Sequence, residues 1–184
     1  MIQNLTVVES FVRDKHEKML KSNGVTPYMD HLQGVVNRLK NIGVSDEEVL
    51  AAALLHDTID DTNTTFDEID QRFGSRVAVL VLSLSKDRQL PKDQREKQYV
   101  KQLKDSSLEA KLIKLCDIST NLKDLKNASW SRTKKTKEVK KKMYYLNVIK
   151  PDLIKNKSQI SGIQGIIDGI NEVIGSYSQK PIII

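Results

Sequence analysis

Apolar residues in this chain recur at intervals of three and four, and nowhere alternate with polar ones over a useful length. That spacing selects helix over strand, because a helix brings positions i, i+3, i+4 and i+7 onto one face, whereas a half-buried strand needs period two. Val8, Phe11, Val12, His16 and Met19 trace one such stripe and predict a first helix over 5–21, broken by Ser22-Asn23-Gly24. Thr26 and Pro27 supply an N-cap and an N1 proline for a second helix, which carries Met29, Leu32, Val35, Val36 and Leu39 and is closed by Gly43. Ser45 followed by Glu48 reads as a capping box for a third helix through VLAAALLHD, and Thr65 followed by Glu68 as another. Further helices are expected over 75–84, 91–103, 107–125, 131–149 and 158–175. In the last, Ile160, Ile163, Ile167, Ile170 and Ile174 keep a helical stripe. Gly162, Gly165 and Gly169 each weaken it by ~1 kcal/mol relative to alanine and suggest close helix–helix approach. The expected fold is all-α: one bundle of about eight to ten helices over 1–184.

At 184 residues the chain suits one well-buried core and is short for two domains. No stretch approaches the ~20 apolar residues of a membrane-spanning helix. The N-terminal stretch turns charged early and lacks a signal-peptide core. Cys116 is the single cysteine, which excludes an intramolecular disulfide and fits a reducing compartment; the cytoplasm is expected. The net charge of +6 favours anionic partners without choosing among nucleic acid, a membrane surface and phosphorylated small molecules. Arg132–Lys142 holds seven basic residues and one acidic, read either as a solvated helix face or as a rim that attracts a polyanion. The apolar tail SQKPIII either packs back on the domain or joins a neighbouring subunit, so a homo-oligomer is one expectation.

The chemistry is concentrated in few residues. The only histidines are His16, His31 and His56, and Asp57 follows His56 on an otherwise apolar segment. A buried His-Asp pair is costly unless it is paired or binds a metal. Asp60 lies four residues after His56, and Asp61 four after Asp57, so a continued helical turn brings these carboxylates beside the pair. Further on, Lys114, Asp117 and Asn121 share one face of an amphipathic helix. Asp117 is there either an ion-pair partner of Lys114 or a ligand. Two imidazoles and two carboxylates suit a divalent transition ion with positions left for water, and such a site points to phosphoester or pyrophosphate hydrolysis. His31 is placed to supply the second imidazole, whereas His16 reads as a packing histidine.

The order His31, His56-Asp57, Asp117 resembles the H…HD…D signature of HD-domain phosphohydrolases. The segments TPYMDH, AAALLHDTIDDTNTTFDEIDQRFG and KLIKLCDISTNL are similar to the hydrolase domain of RelA/SpoT enzymes, above all the small stand-alone alarmone hydrolases that include the metazoan SpoT homologue. LPKDQRE and Trp130-Ser131 extend the likeness, which spans roughly residues 12–149. The resemblance implies a single HD hydrolase domain. It implies manganese-dependent removal of pyrophosphate from the 3′ position of ppGpp or pppGpp, a guanosine-3′,5′-bis(diphosphate) 3′-pyrophosphohydrolase activity. It implies His31, His56, Asp57 and Asp117 as metal ligands, and Asp60 and Asp61 at the family's catalytic Glu-Asp pair. It places Lys21 and Ser22 in a basic loop near the nucleotide and Asn121 near the ribose; Lys114 joins this substrate-binding set. Three departures stand out: Asp60 replaces glutamate, Leu20 an arginine that packs on the base, and Ile118 a lysine or arginine after the metal-binding aspartate. With no length for a synthetase domain, the chain is expected only to degrade.

A second enzyme reading keeps the metal site and changes the substrate to adenosine alarmones or the 2′-phosphate of NADPH. A non-enzyme reading, a nucleotide-sensing HD module, would need a missing ligand, and none of the four is missing. Neither nucleic acid nor membrane is an expected partner, since the Arg132–Lys142 run lacks interleaved aromatics apart from the nearby Tyr144 and Tyr145.

Overall fold

Two helices are buried on almost every side, and the rest of the chain is arranged to cover them. Helix α3 (Glu47–Leu55) is buried at every residue from Val49 to Leu55, and α8 (Leu108–Asp124) at every residue from Ala110 to Ile118. Helix α3 is apolar all round and must be enclosed on all sides, whereas α8 buries Lys111, Lys114 and Asp117 as members of ion pairs. Accordingly α3 packs against α1 (Leu5–Lys15), α2 (Met29–Asn41), α6 (Ser75–Leu84) and α8. Helix α8 in turn contacts α2, α6, α9 (Arg132–Lys155) and α10 (Ile163–Gly175). The remaining helices are α4 (Thr58–Asp61), α5 (Phe66–Phe73) and α7 (Lys92–Asp105), with a 3₁₀ turn at Lys157–Gln159. The computed structural model describes residues 4–184, so the first three residues of the expected 1–184 domain, and of the stretch read for a leader, lie outside it. Among the described residues there is no named strand, and the chain is all-α as expected.

Local chemistry explains where the boundaries depart from expectation. Helix α1 stops at Lys15, six residues short, because the chain turns back on itself: Lys21 N–H donates to Thr26 O at 2.8 Å and Tyr28 N–H to Met19 O at 2.9 Å. The Asn23 side chain accepts from the N–H groups of Val25 and Thr26, both at 3.0 Å, and Gly24 takes φ +72°, a left-handed value that glycine adopts without cost. Thr26 and Pro27 therefore belong to this loop and not to a helix start, and α2 begins at Met29. Asp46, not Ser45, caps α3, accepting from Glu48 N–H at 2.9 Å and Val49 N–H at 3.4 Å. Thr65 caps α5 as its box predicts, accepting from Glu68 N–H at 3.2 Å.

The C-terminal part needs two further corrections. Helix α9 runs on through Pro151 to Lys155, although an interior proline costs ~3 kcal/mol. The buried side chains of Ile149 and Leu153, and the Lys111–Asp152 ion pair at 2.6 Å, hold that last turn against the core. The helix expected over 158–175 starts only at Ile163, after Gly162 at φ +71°. Gly165 and Gly169 have open space where a side chain would stand, so they do not mediate close helix approach. The tail packs back on its own domain: Ile182 is buried and exchanges two hydrogen bonds with Asn171, at 2.7 and 2.9 Å.

Candidate metal centre and cleft

Helix α3 ends at Leu55, so His56 and Asp57 lie just past it, at the junction with α4. The C-terminal half of α8 crosses this junction, and α2 flanks both. His31, His56 and Asp117 are each buried, and one ligand atom from each lies within 4.8 Å of the others. His31 Nε2 is 3.4 Å and His56 Nε2 3.7 Å from Asp117 Oδ1. Asp57 Oδ2 is 3.0 Å from His56 Nε2 and 3.9 Å from His31 Nε2. The four residues expected as ligands thus converge, three as a buried cluster and Asp57 at its edge.

The donor chemistry suits a cation. His56 Nδ1 lies 2.8 Å from the Ala53 carbonyl, which can only accept, so the proton is on Nδ1 and Nε2 offers a lone pair in the neutral ring. The Nε2 atoms of His31 and His56 are buried and have no hydrogen-bond partner among the described residues. Buried polar atoms without partners are costly, and a metal ion aimed at by both removes that cost. Without one, protons take its place: burial alone lowers the His56 value, but Asp57 and Asp117 outweigh it and push it up to about 10. Burial likewise opposes ionisation of Asp57 and Asp117, yet His56 holds the first, and Lys114 the second, below the usual carboxylate range.

A surrounding set of bonds fixes these side chains. Tyr28 O–H donates to Asp57 Oδ2 at 2.5 Å and stacks on His31, with ring centroids 5.2 Å apart. Lys114 Nζ donates to Asp117 Oδ2 at 2.9 Å, and Asn121 donates to Asp117 Oδ1. Asp117 is therefore both of the alternatives open in the sequence, an ion-pair partner through one oxygen and a member of the ligand cluster through the other. His16 is a buried packing residue, stacked on Tyr28 at 5.5 Å. Asp60 Oδ1 accepts the Lys86 backbone N–H at 2.9 Å, which ties α4 to the segment after α6. Asp61 faces a neighbouring groove with Asp14 and Lys18; partial burial, then Asp57 and Asp60, push its carboxyl up to about 6.

A cleft of about 290 Å³ opens beside His31. Lys21, Ser22 and Asn121 line it, with Leu20, Leu125 and Trp130 on its apolar side. Lys114 is not among the lining residues; its ammonium lies beneath Asp117. Sequence reasoning missed Asp124, Lys142 and the contact of Tyr28 with Asp57. Asp124 follows Asn121 by three and Asp117 by seven, so the helical spacing that found those two also reaches it. Its carboxylate binds Lys21 at 2.6 Å and faces His31 Nδ1 at 3.8 Å. Lys142 was hidden within the basic run.

This arrangement, paired buried histidines with one aspartate from a helix junction and one from α8 beside a cleft, defines a helical hydrolase site able to hold a divalent metal. The chain belongs to the HD-domain family, whose model matches residues 9–146. It is 42% identical over 127 residues to the guanosine-3′,5′-bis(diphosphate) 3′-pyrophosphohydrolase MESH1 of Danio rerio, covering 66% of this chain and 71% of that protein. It is 41% identical over 133 residues to the Homo sapiens protein of the same name, covering 70% and 74%. A solved structure described as a metazoan orthologue of SpoT that hydrolyses ppGpp superposes with a TM-score of 0.75 over 94% of both chains, at 26% identity.

Proposed function

We propose that this chain hydrolyses the 3′-pyrophosphate of (p)ppGpp-type alarmones, giving GDP or GTP and pyrophosphate, with manganese held by His31, His56, Asp57 and Asp117. The observation that carries this reading is the pair of partnerless Nε2 atoms converging with Asp117 at the end of a cleft. Bound there, the ion would polarise a phosphoryl oxygen and lower the pKa of a water molecule. The residues of the chain do the rest. Ala53 keeps Nε2 of His56 free, Tyr28 orients Asp57, and Lys114 with Asn121 orients Asp117. Asp61, with a value of about 6, is suited to give or take a proton near neutral pH, and Asp60 is held beside it by Lys86. Lys21, Ser22 and Asn121 line the space for the nucleotide. Residues 1–184 are read as one domain because the apolar core is a single cluster from Val8 to Ile182. A cytoplasmic setting is part of the proposal, supported by the unpaired, buried thiol of Cys116. No helix of the described residues is long and apolar enough to cross a membrane.

The test is a nucleotide panel of ppGpp, ppApp and NADPH, run with manganese and with chelator, with the released anion identified by chromatography. Manganese-dependent consumption of ppGpp with release of pyrophosphate is expected. Orthophosphate as the sole anion, or turnover of NADPH with none of either alarmone, overturns the substrate assignment.

A further inference from the structure

Two lysines line the cleft beside His31, and they differ in what neutralises them. Lys21 Nζ lies 2.6 Å from Asp124 Oδ1, so the protein already supplies its counter-charge. Lys114, the cation closest in sequence to Asp117, is bound to that aspartate at 2.9 Å and does not line the cleft. Lys142 makes no ion pair or hydrogen bond among the described residues. Burial and the nearby Lys114 ammonium disfavour its charge, and Asp117, Asp57 and Glu138 support it only through space.

Its place on α9 is not that of a solvated surface lysine. Val139, three residues before it, and Tyr145 and Leu146, three and four after it, are all buried. Residues at those spacings share a helix face. Lys142 thus stands on the inward stripe of α9, whereas Lys140 and Lys141 beside it are exposed. A half-buried cation without a partner is costly unless a ligand brings the opposite charge. Lys142 lines the cleft together with His31, and the carboxylates that act on it, Asp117 and Asp57, belong to the metal cluster, where Asp117 already shares its charge with Lys114. A further anion in this space, such as a phosphoryl group beside the metal, has Lys142 as its free counter-charge.

We propose that Lys142 is a substrate-binding residue, contacting the pyrophosphate group at the metal end of the cleft and not the nucleotide's other phosphates. This rests on the hydrolase reading above and names the contact that holds the departing group. The geometry assigns that role to Lys142 ahead of Lys21 and Lys114, whose charges are already matched within the protein.

The test compares the wild type with Lys142→Met, which keeps length and volume, and Lys142→Arg, which keeps charge; circular dichroism checks that all three fold alike. Under manganese, Lys142→Met should raise KM for ppGpp about tenfold with kcat within about threefold. It should raise the inhibition constant of inorganic pyrophosphate by a similar factor and leave that of GDP within about twofold. Lys142→Arg should stay within about threefold of wild type throughout. An unchanged pyrophosphate constant in Lys142→Met, or a shift confined to GDP, overturns the assignment. Absence of ppGpp turnover in the wild type would instead overturn the hydrolase reading. The role of Lys142 is then read by calorimetric titration of inorganic pyrophosphate into manganese-loaded wild type and Lys142→Met, where equal affinity sinks it.

Discussion

The floor of the cleft and its rim are built on opposite physical terms. The floor is the cluster that His31 of α2 shares with His56 and Asp57 after α3 and with Lys114, Asp117 and Asn121 of α8, and most of its polar groups are buried and interlocked. The rim is made by the loop from Met19 to Tyr28 and by α9, with α4 at the neighbouring groove, and its charged groups are half-exposed or paired at the surface. Removing one member of a buried network strands its neighbours, whereas a half-exposed group can turn to water. Floor changes are therefore expected to abolish metal binding and strain the fold, and rim changes to tune rate and choice of substrate.

The largest effects test the floor. His56→Ala and Asp117→Ala each remove a ligand and should bring metal content and turnover to background, measured by elemental analysis and by the ppGpp assay. Asp117→Ala also leaves the Lys114 ammonium buried without its partner, a situation that costs roughly 3–5 kcal/mol. Chemical denaturation of the chelator-treated protein should show that loss, and adding Lys114→Met should restore a good part of it. Stoichiometric metal in either single variant would remove that residue from the ligand set.

A rim carboxylate should give a smaller effect with a distinct signature. Asp61→Asn should keep the metal and lose turnover by ~10²-fold, the scale of a positioned acid or base. It should also change how stability depends on pH in the metal-free protein. The Asp61 carboxyl is pushed up to about 6 from its ordinary value of 3.8, so its ionised form is the less favoured one in the folded state. Its penalty is absent below about pH 4 and complete above about pH 6, and wild-type stability falls across that window on its account. Asp61→Asn should therefore have a higher Tm than the wild type at pH 7 and the same Tm at pH 4. A constant difference at both values would remove Asp61 from this role.

The floor was also the more legible half in the sequence. Its histidines are few, its aspartates interrupt apolar runs, and the spacing of Lys114, Asp117 and Asn121 follows the helix period. Buried positions obey periodicity because packing enforces it. The rim obeys local rules that compete with one another. Thr26-Pro27 has the signature of a helix start, yet Asn23 and Gly24 close a tighter turn that captures the Thr26 backbone first. Pro151 signals a stop, but Ile149, Leu153 and Asp152 have partners in the core that outweigh it. Lys142 is one lysine among six and an arginine in its run, and only the packing of α9 shows that it faces inward.

The smallest expected effect concerns the base. Leu20, Leu125 and Trp130 offer that end of the cleft apolar surface, and Leu20 is half-exposed there. An apolar wall separates guanine from adenine poorly. Strong discrimination comes from groups that bond one base and are left unpaired by the other. The wild type should accordingly hydrolyse ppGpp with less than about tenfold preference over ppApp in kcat/KM, one hydrogen bond's worth being ~1.4 kcal/mol. Leu20→Arg places five donors at that wall, which suit the acceptors of guanine and not the amino group of adenine. The ratio of the two kcat/KM values should rise by about threefold to tenfold in favour of ppGpp, because the new side chain is exposed and competes with water. Metal content and kcat on ppGpp should change little, since the floor is untouched. A ratio that stays fixed while both values fall together would mean that residue 20 shapes the entrance and does not read the base.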